Sequence, residues 1–380
     1  ELPVRNVVTW NSLIAGYSQH EQGSKALTCF TQMQREGLSP DEITFTCILK
    51  ACARLGDIEK GRQIHEEIVH SGLLEKNVLL GTALVDMYAK CGAVSKAQEV
   101  LEKLPIRDAV SWSALIAGYS QEDKGHEALN CFERMQREGI SPDAVTFICI
   151  LKACGSVGAI NKGEQIHDEI VHRALLEKNV LLGNTLVDMY AKCGNLAKAQ
   201  QVLEEIPIRD IVSWNALIAG YSQHEKGLEA LRSFAGMQRD GLSPDGITFI
   251  SILKAYGSTG AVDKGRQIHV QILSTGLLEK NAVLGTALVD MYAKCGMLAK
   301  AAQVLEEIPF HDEIMWNALI AGCAQLGECQ EAIIYFEQMQ KEGLTPDVVT
   351  FICILKACGI TSSLEKGIQV HEMIVRRGLV

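Results

Sequence analysis

The chain is 380 residues long, 47% apolar and 6% aromatic, with 8 prolines, 33 glycines and a formal net charge of −10. Charge breaks every apolar run within about a dozen residues, which excludes a membrane-spanning segment, and the acidic balance weighs against a nucleic-acid partner unless basic residues gather on one face. The 13 cysteines are odd in number, and no apolar or Arg/Ser-rich leader opens the chain. They read as free thiols of a reducing compartment, with any targeting peptide removed.

The first predicted element has apolar residues at helical spacing, Trp10, Leu13, Ile14 and Tyr17, and a polar turn ending at Gly23 closes it. A second helical run carries Ala26, Leu27, Phe30 and Met33 on one face. Gly37 suits a left-handed cap and Pro40 prevents continuation. Asp41 is then placed to cap the next helix, "EITFTCILKACARLG". Further on, "LLGTALVDMYAKCG" and "VSKAQEVLEKL" form a shorter pair of helices closed by Pro105.

The pattern then starts again. "LVDMYAKCG" stands at Leu84–Gly92, Leu186–Gly194 and Leu288–Gly296, and the steps 186−84 and 288−186 are both 102. "VVTWNSLIAGYSQ" at Val7 returns in variant form at Ala109, Ile211 and Glu313 with the same step. One unit divides into Val7–Asp41 (35 residues), Glu42–Asn77 (36) and Val78–Asp108 (31), and 35 + 36 + 31 is 102. Each part reads as two helices that cannot bury their apolar stripes alone, so neighbouring hairpins must stack as a solenoid. Leu84, Val85, Met87 and Tyr88 are expected to be plain core. The organisation is three trios, 7–108, 109–210 and 211–312, then a 35-residue repeat and an incomplete 36-residue repeat over 313–380. Residues 1–6 match Lys103–Asp108 and form the tail of a preceding short repeat. Eleven repeats result. Their open ends are expected to fray or self-associate, most of all at Val348–Val380, and the close likeness between trios suggests a consensus design.

Catalytic and metal motifs fail on spacing. "HEEIVH" puts His65 and His70 five residues apart, whereas two ligands on one helical face must be four apart. Cys47 and Cys52 become Ser251 and Tyr256 in the third trio, so they read as small core residues. His65, His167, His269 and His371 return once per 36-residue part and read as packing or capping groups. No phosphate loop, nucleophile elbow or HxE…PCxxC deaminase signature is present. No enzymatic activity, cofactor or metal is expected.

The three motifs are similar to the pentatricopeptide repeat family. "VVTWNSLIAGYSQ…EALxCFxxMQREGLSPD" resembles its standard (P) repeat, "ITFxxILKAC…KGxQIH" its long (L) variant and "TALVDMYAKCG" its short (S) variant; P, L and S name the three lengths hereafter. The order resembles the PLS class of plant organellar RNA-editing proteins. That resemblance implies an all-α, right-handed α-solenoid binding single-stranded RNA, one base per P or S repeat, in a plastid or mitochondrion (or in the cytosol for a recombinant design). It further implies that the fifth and last residues of a repeat read the base. These are Asn11 with Asp41, Ser113 with Asp143, Asn215 with Asp245 and Asn317 with Asp347 in P repeats. In S repeats they are Thr82 with Asp108, Asn184 with Asp210 and Thr286 with Asp312.

The chemistry agrees. An ionised aspartate only accepts hydrogen bonds, which favours uracil or guanine, whose Watson–Crick edges carry an N–H, over cytosine or adenine. Asn is long enough to reach a pyrimidine, whereas Thr or Ser leaves room for a purine. The family's pairing of Asn–Asp with U and of Thr–Asp or Ser–Asp with G gives the target 5′-UNGGNUUNGUN-3′. Each aspartate is also a good N-cap. The fifth residues of L repeats, Thr46, Ile148, Ile250 and Ile352, include three that cannot hydrogen-bond a base. They read as spacers or as surfaces for MORF/RIP-type multiple organellar RNA editing factors, which makes a protein-binding scaffold the alternative function. Residue two of each P repeat, Val8, Val110, Val212 and Ile314, resembles the wedge that sandwiches bases, with core packing as the other reading. Lys90, Lys192 and Lys294 match the family's phosphate-contacting lysine, and Lys50, Lys152, Lys254 and Lys356 return in "ILKA". These lysines are the expected answer to the acidic balance, provided the carboxylates lie on the outer helices.

Overall fold

A computed structural model describes residues 6–74, 77–278, 281–309 and 311–379. Among them are twenty-two α-helices, one short 3₁₀ turn at Leu176–Lys178 and no strand. The chain forms two compact units, Glu1–Asn195 and Leu196–Val380. The division falls inside the second trio. Where hairpins contact only their sequence neighbours, compactness need not follow the sequence period.

The first unit holds hairpins α1/α2 (Val7–Gln19, Gly23–Arg35), α3/α4 (Glu42–Leu55, Ile58–His70) and α5/α6 (Val78–Lys90, Val94–Lys103). They are followed by α7/α8 (Ala109–Gln121, Gly125–Arg137), α9/α10 (Ala144–Val157, Ile160–His172) and the single helix α11 (Val180–Lys192). The second unit opens on α12 (Leu196–Glu205). Its hairpins are α13/α14 (Ile211–Gln223, Gly227–Arg239), α15/α16 (Gly246–Thr259, Val262–Thr275), α17/α18 (Ala282–Lys294, Leu298–Glu307), α19/α20 (Glu313–Leu326, Cys329–Lys341) and α21/α22 (Val348–Ile360, Leu364–Arg376). Within each unit the first helices of successive hairpins pack on one another in a continuous row, and each second helix packs on its own first helix and the next.

Side-chain caps set the register of the first helices. Asp41, Asp108, Asp143, Asp210 and Asp245 each take part in a capping box with a Thr or Ser three residues on. Asn6 does the same with Thr9; the rest of the expected tail, residues 1–5, lies outside the described residues. Gly37 adopts φ +76°, the left-handed geometry expected after α2. The same geometry falls on Glu21, Asp123 and Glu225 in the turns inside the P hairpins, where the fourth copy has Gly327.

The core lies between the rows. Leu84, Val85 and Met87 are fully buried and Tyr88 nearly so, each buried side chain contributing about 1.5–3 kcal/mol. Met87 packs so closely on α4 that a Cβ at Gly61 would meet its sulfur at 2.4 Å, and the same contact recurs at Gly163 with Met189 and Gly265 with Met291. The "KG" pairs at Gly61, Gly163 and Gly265 therefore have a packing reason, whereas at Gly367 a Cβ would meet only Cys358 at 3.8 Å. The recurrent histidines are packing groups in three copies: Nδ1 of His65, His167 and His269 lies 3.0 Å from the hydroxyl of Tyr88, Tyr190 and Tyr292. Burial holds the pKa of His65 and His269 below the ordinary 6.5. His371 is exposed. Leu13, expected on the buried stripe, is 43% exposed because no described hairpin precedes it, whereas its counterparts Leu115, Leu217 and Leu319 are buried.

Candidate nucleic-acid interface

Residues 2, 5, 9 and 13 of a first helix share one face, because steps of three, four and seven residues bring side chains back to nearly the same angle. Along each unit's row of first helices this face combines an apolar residue, a polar pair and a basic residue. Residue two is outermost: Val8, Val110, Val212 and Ile314 are all more than half exposed, which removes the core reading of these four. The L and S repeats repeat the feature with Ile43, Val145, Ile247 and Val349 and with Leu79, Leu181 and Val283. The sequence reading confined the wedge to P repeats, although each of these residues also follows a cap by two places.

The fifth and last residues, 26 or 30 positions apart in the chain, meet because the last residue caps the neighbouring first helix. In the first P repeat the Asn11 amide donates to both Asp41 oxygens at 2.9 Å. Its carbonyl oxygen accepts the Thr44 hydroxyl at 2.5 Å. In the third, Asn215 donates to Asp245 at 3.0 Å and accepts from Thr248 at 2.7 Å. In the second, Ser113 Oγ lies 2.5 Å from Thr146 Oγ1 and 3.4 Å from Asp143. In the fourth, the Thr350 hydroxyl donates to Asn317, and its oxygen lies 2.8 Å from a carboxylate oxygen of Asp347.

The S repeats are looser. Thr82 reaches Asp108 at 3.4 Å, and Thr286 lies 3.2 Å from Asp312 while also within reach of its own helix at the Ala282 carbonyl, 3.1 Å away. Asn184 and Asp210 fall in different units. Asn184 is buried on α11, and Asp210 accepts the N–H groups of Val212 and Ser213 at the start of α13. Most of the fifth side chains are buried to below a tenth of their surface, while five of the aspartates are half-buried and Asp143 and Asp347 are exposed. The carboxylate is thus the more accessible member of each pair.

Every one of these aspartates is also an N-cap. Partial burial of Asp41 works against its charge, but the Thr44 N–H and the Asn11 amide outweigh it and hold its pKa below the ordinary 3.8. Asp245 behaves in the same way, with Thr248 and Asn215 as donors. Both stay ionised and acceptor-only at neutral pH. The L repeats differ. Their last residues, Asn77, Asn179 and Asn281, cap the S helices through Leu80, Leu182 and Leu284. Of their fifth residues, Thr46 donates to its own helix at the Glu42 carbonyl and Ile148 is buried.

The expected phosphate lysines are on the same face, about 12 Å along the helix from the fifth residue. Each is tethered one turn back: Lys90 to Asp86 at 2.8 Å, Lys192 to Asp188 at 2.8 Å and Lys294 to Asp290 at 2.7 Å. Lys50, Lys152, Lys254 and Lys356 are exposed, and among the described residues none has a carboxylate in ion-pair reach. First helices carry Lys50, Arg54, Lys90, Lys152, Lys192, Lys254, Lys294 and Lys356 against Glu42, Asp86, Asp188, Asp290 and Glu313, eight basic residues to five acidic. The seven capping aspartates gather at the other end of the same helices. Within each unit the face is therefore polarised, acidic where the helices begin and basic where they end. Many remaining carboxylates serve the second helices, where Glu36, Glu138, Asp240 and Glu342 accept the indole N–H of Trp10, Trp112, Trp214 and Trp316.

The sequence profile described as the PPR repeat family matches residues 5–54, 107–156, 209–258 and 311–359, starting every 102 residues as the repeats do. The profile described as the PPR repeat matches 43–73, 82–107, 184–211 and 286–310. A chloroplastic pentatricopeptide repeat-containing protein of Arabidopsis thaliana is 37% identical over 355 residues, covering 93% of this chain and 57% of the relative. A mitochondrial one from the same plant is 36% identical over 374 residues, 98% of this chain and 36% of the relative. The chain thus spans only about a third to just over half of these relatives. Among solved structures, the pentatricopeptide repeat protein PPR10 in complex with an 18-nt psaJ RNA element matches with a TM-score of 0.82 at 20% identity, over 97% of this chain and 55% of PPR10. That likeness is one of fold.

Proposed function

The chain belongs to the pentatricopeptide repeat family, and from that premise we propose that it binds single-stranded RNA by sequence, one base to each P or S repeat, without catalysing a reaction on it. The observation that carries this reading is the repeated grouping of an exposed apolar residue two, a hydrogen-bonded fifth-and-last pair and a basic residue on one face of the first-helix row. A base stacked on residue two would present its Watson–Crick edge to an aspartate that can only accept, so U and G are favoured. With the chain parallel to the RNA, the target is 5′-UNGGNUUNGUN-3′. The P–L–S order supports assignment to the PLS class, with the trios as its units, a role as the specificity part of organellar RNA editing, and a plastid or mitochondrial setting.

Gel-shift titration tests it. The target RNA is expected to bind more tightly than RNAs changed at the third, seventh or ninth base, and equal binding of all of them defeats the proposal. The second reading, a scaffold for multiple organellar RNA editing factors, draws on the L repeats, whose isoleucines have nothing to offer a base edge. It predicts that such a factor binds the chain without RNA and raises RNA affinity by stiffening the array.

A further inference from the structure

A threonine stands three places after each P-repeat aspartate, at the start of the next helix. In the structure Thr44, Thr146, Thr248 and Thr350 are buried, and every one reaches the fifth side chain of the preceding P repeat. The third P repeat gives the chemistry in full. The Asp245 carboxylate, ionised and acceptor-only, requires the Asn215 amide to turn its NH2 group toward it, and it does so at 3.0 Å. The amide oxygen then faces away and needs a donor. The Thr248 hydroxyl supplies one at 2.7 Å, while its own oxygen accepts the Asp245 N–H at 3.2 Å. Without that hydroxyl the amide oxygen would be buried with no donor from the next helix, and rotation of the amide would become the cheaper state. A rotated amide exchanges donor for acceptor at the base edge and so destroys the distinction on which the pair depends.

We propose that this threonine is a positioning residue for base selection: by fixing the amide or hydroxyl of the fifth residue, it sets which hydrogen-bonding edge a P repeat offers. The assignment rests on the base-reading proposal above and adds to it a third member that touches no base. The S repeats lack the device. Ser111 returns its hydroxyl to the Asp108 carbonyl at 2.9 Å and accepts the Asp108 N–H at 3.1 Å. Thr9, although a threonine, does the same with Asn6 at the start of the first P repeat. The junction between repeats, and not the residue type alone, decides what the hydroxyl reaches.

The test uses the full chain and four RNAs with U, C, G or A at the seventh base, opposite Asn215 and Asp245, each titrated against the wild type, Thr248→Val and Thr248→Ser. Valine keeps the shape and removes the hydroxyl; serine restores it. The preference for U at the seventh base is expected to fall at least about tenfold in Thr248→Val and to return in Thr248→Ser, while the preference at the ninth base stays unchanged. Ser111→Ala, which also breaks a capping box, is expected to leave the third-base preference intact. A wild-type preference for U that survives Thr248→Val, or an equal loss of affinity for all four bases, overturns the positioning role alone. A wild type with no preference at the seventh base overturns the base-reading proposal and this assignment with it.

Discussion

At a P–L junction three side chains close on one another: Asn215, Asp245 and Thr248 all lie within hydrogen-bonding distance. At an S–P junction only two face each other, Thr82 and Asp108 at 3.4 Å, and Ser111 turns back to the backbone. Both junctions are built from the same capping box, so local helix chemistry does not distinguish them. The difference arises where the box meets the preceding helix. It teaches that one aspartate can serve at once as a helix cap and as the partner of a side chain on the preceding hairpin, and that the closeness of that pairing follows a third group supplied by the next repeat.

The comparison is most directly sharpened by moving a P-type residue into an S repeat. Thr82→Asn is expected to shift the third base from G toward U by on the order of 1–3 kcal/mol, as for other good base contacts. It should discriminate less well than Asn215, since no hydroxyl fixes its amide oxygen; competition titration with G and U at that base measures both. Equal weakening toward G and U would mean that Thr82 is only structural.

Next in size is the difference between the two sets of lysines. Lys152→Ala is expected to weaken all RNAs alike and to lower the slope of log affinity against log salt by about one unit. Lys192→Ala, which removes a lysine already tethered to Asp188, is expected to lower the slope by less. Slopes measured from low to moderate salt that come out equal would show that the tether is broken when RNA binds.

The smallest effect concerns protons. Because the folded pKa of Asp245 lies below its ordinary 3.8, its contribution to stability is present above about pH 3.8 and is lost as pH falls through the folded value. Thr248→Val removes the hydroxyl that holds the Asn215 amide turned toward the carboxylate, so the Asp245 pKa should rise toward 3.8, while Ser111→Ala should leave Asp245 unmoved. Carboxyl titration by NMR distinguishes the two.

Much of the fold was legible because it repeats. The 102-residue step, the caps at Asp41 and Asp108, the left-handed Gly37 and the buried Leu84–Tyr88 stretch all follow from local chemistry that each copy states afresh. The pairing of Asn11 with Asp41 was legible only through family resemblance, since nothing in a 30-residue separation says that two side chains touch. Exposure of residue two in all eleven repeats was half-visible: the position is regular, but a valine beside a helix start reads equally well as core. The tethering of Lys90 by Asp86 was available from a four-residue spacing on one helix, and the reading of lysines alone passed over it.

By itself, then, the sequence determined the helices, their caps and the period, because these depend on backbone hydrogen bonds and apolar spacing within a dozen residues of one another. Tertiary structure decided which side chains meet across hairpins. It set Thr248 against Asn215 and left Ser111 on its own backbone, because the direction of a hydroxyl at a helix start depends on the neighbouring helix that offers it a partner. It also decided which lysines remain free, since an ion pair depends on where a carboxylate is placed in space as well as on how many the chain contains.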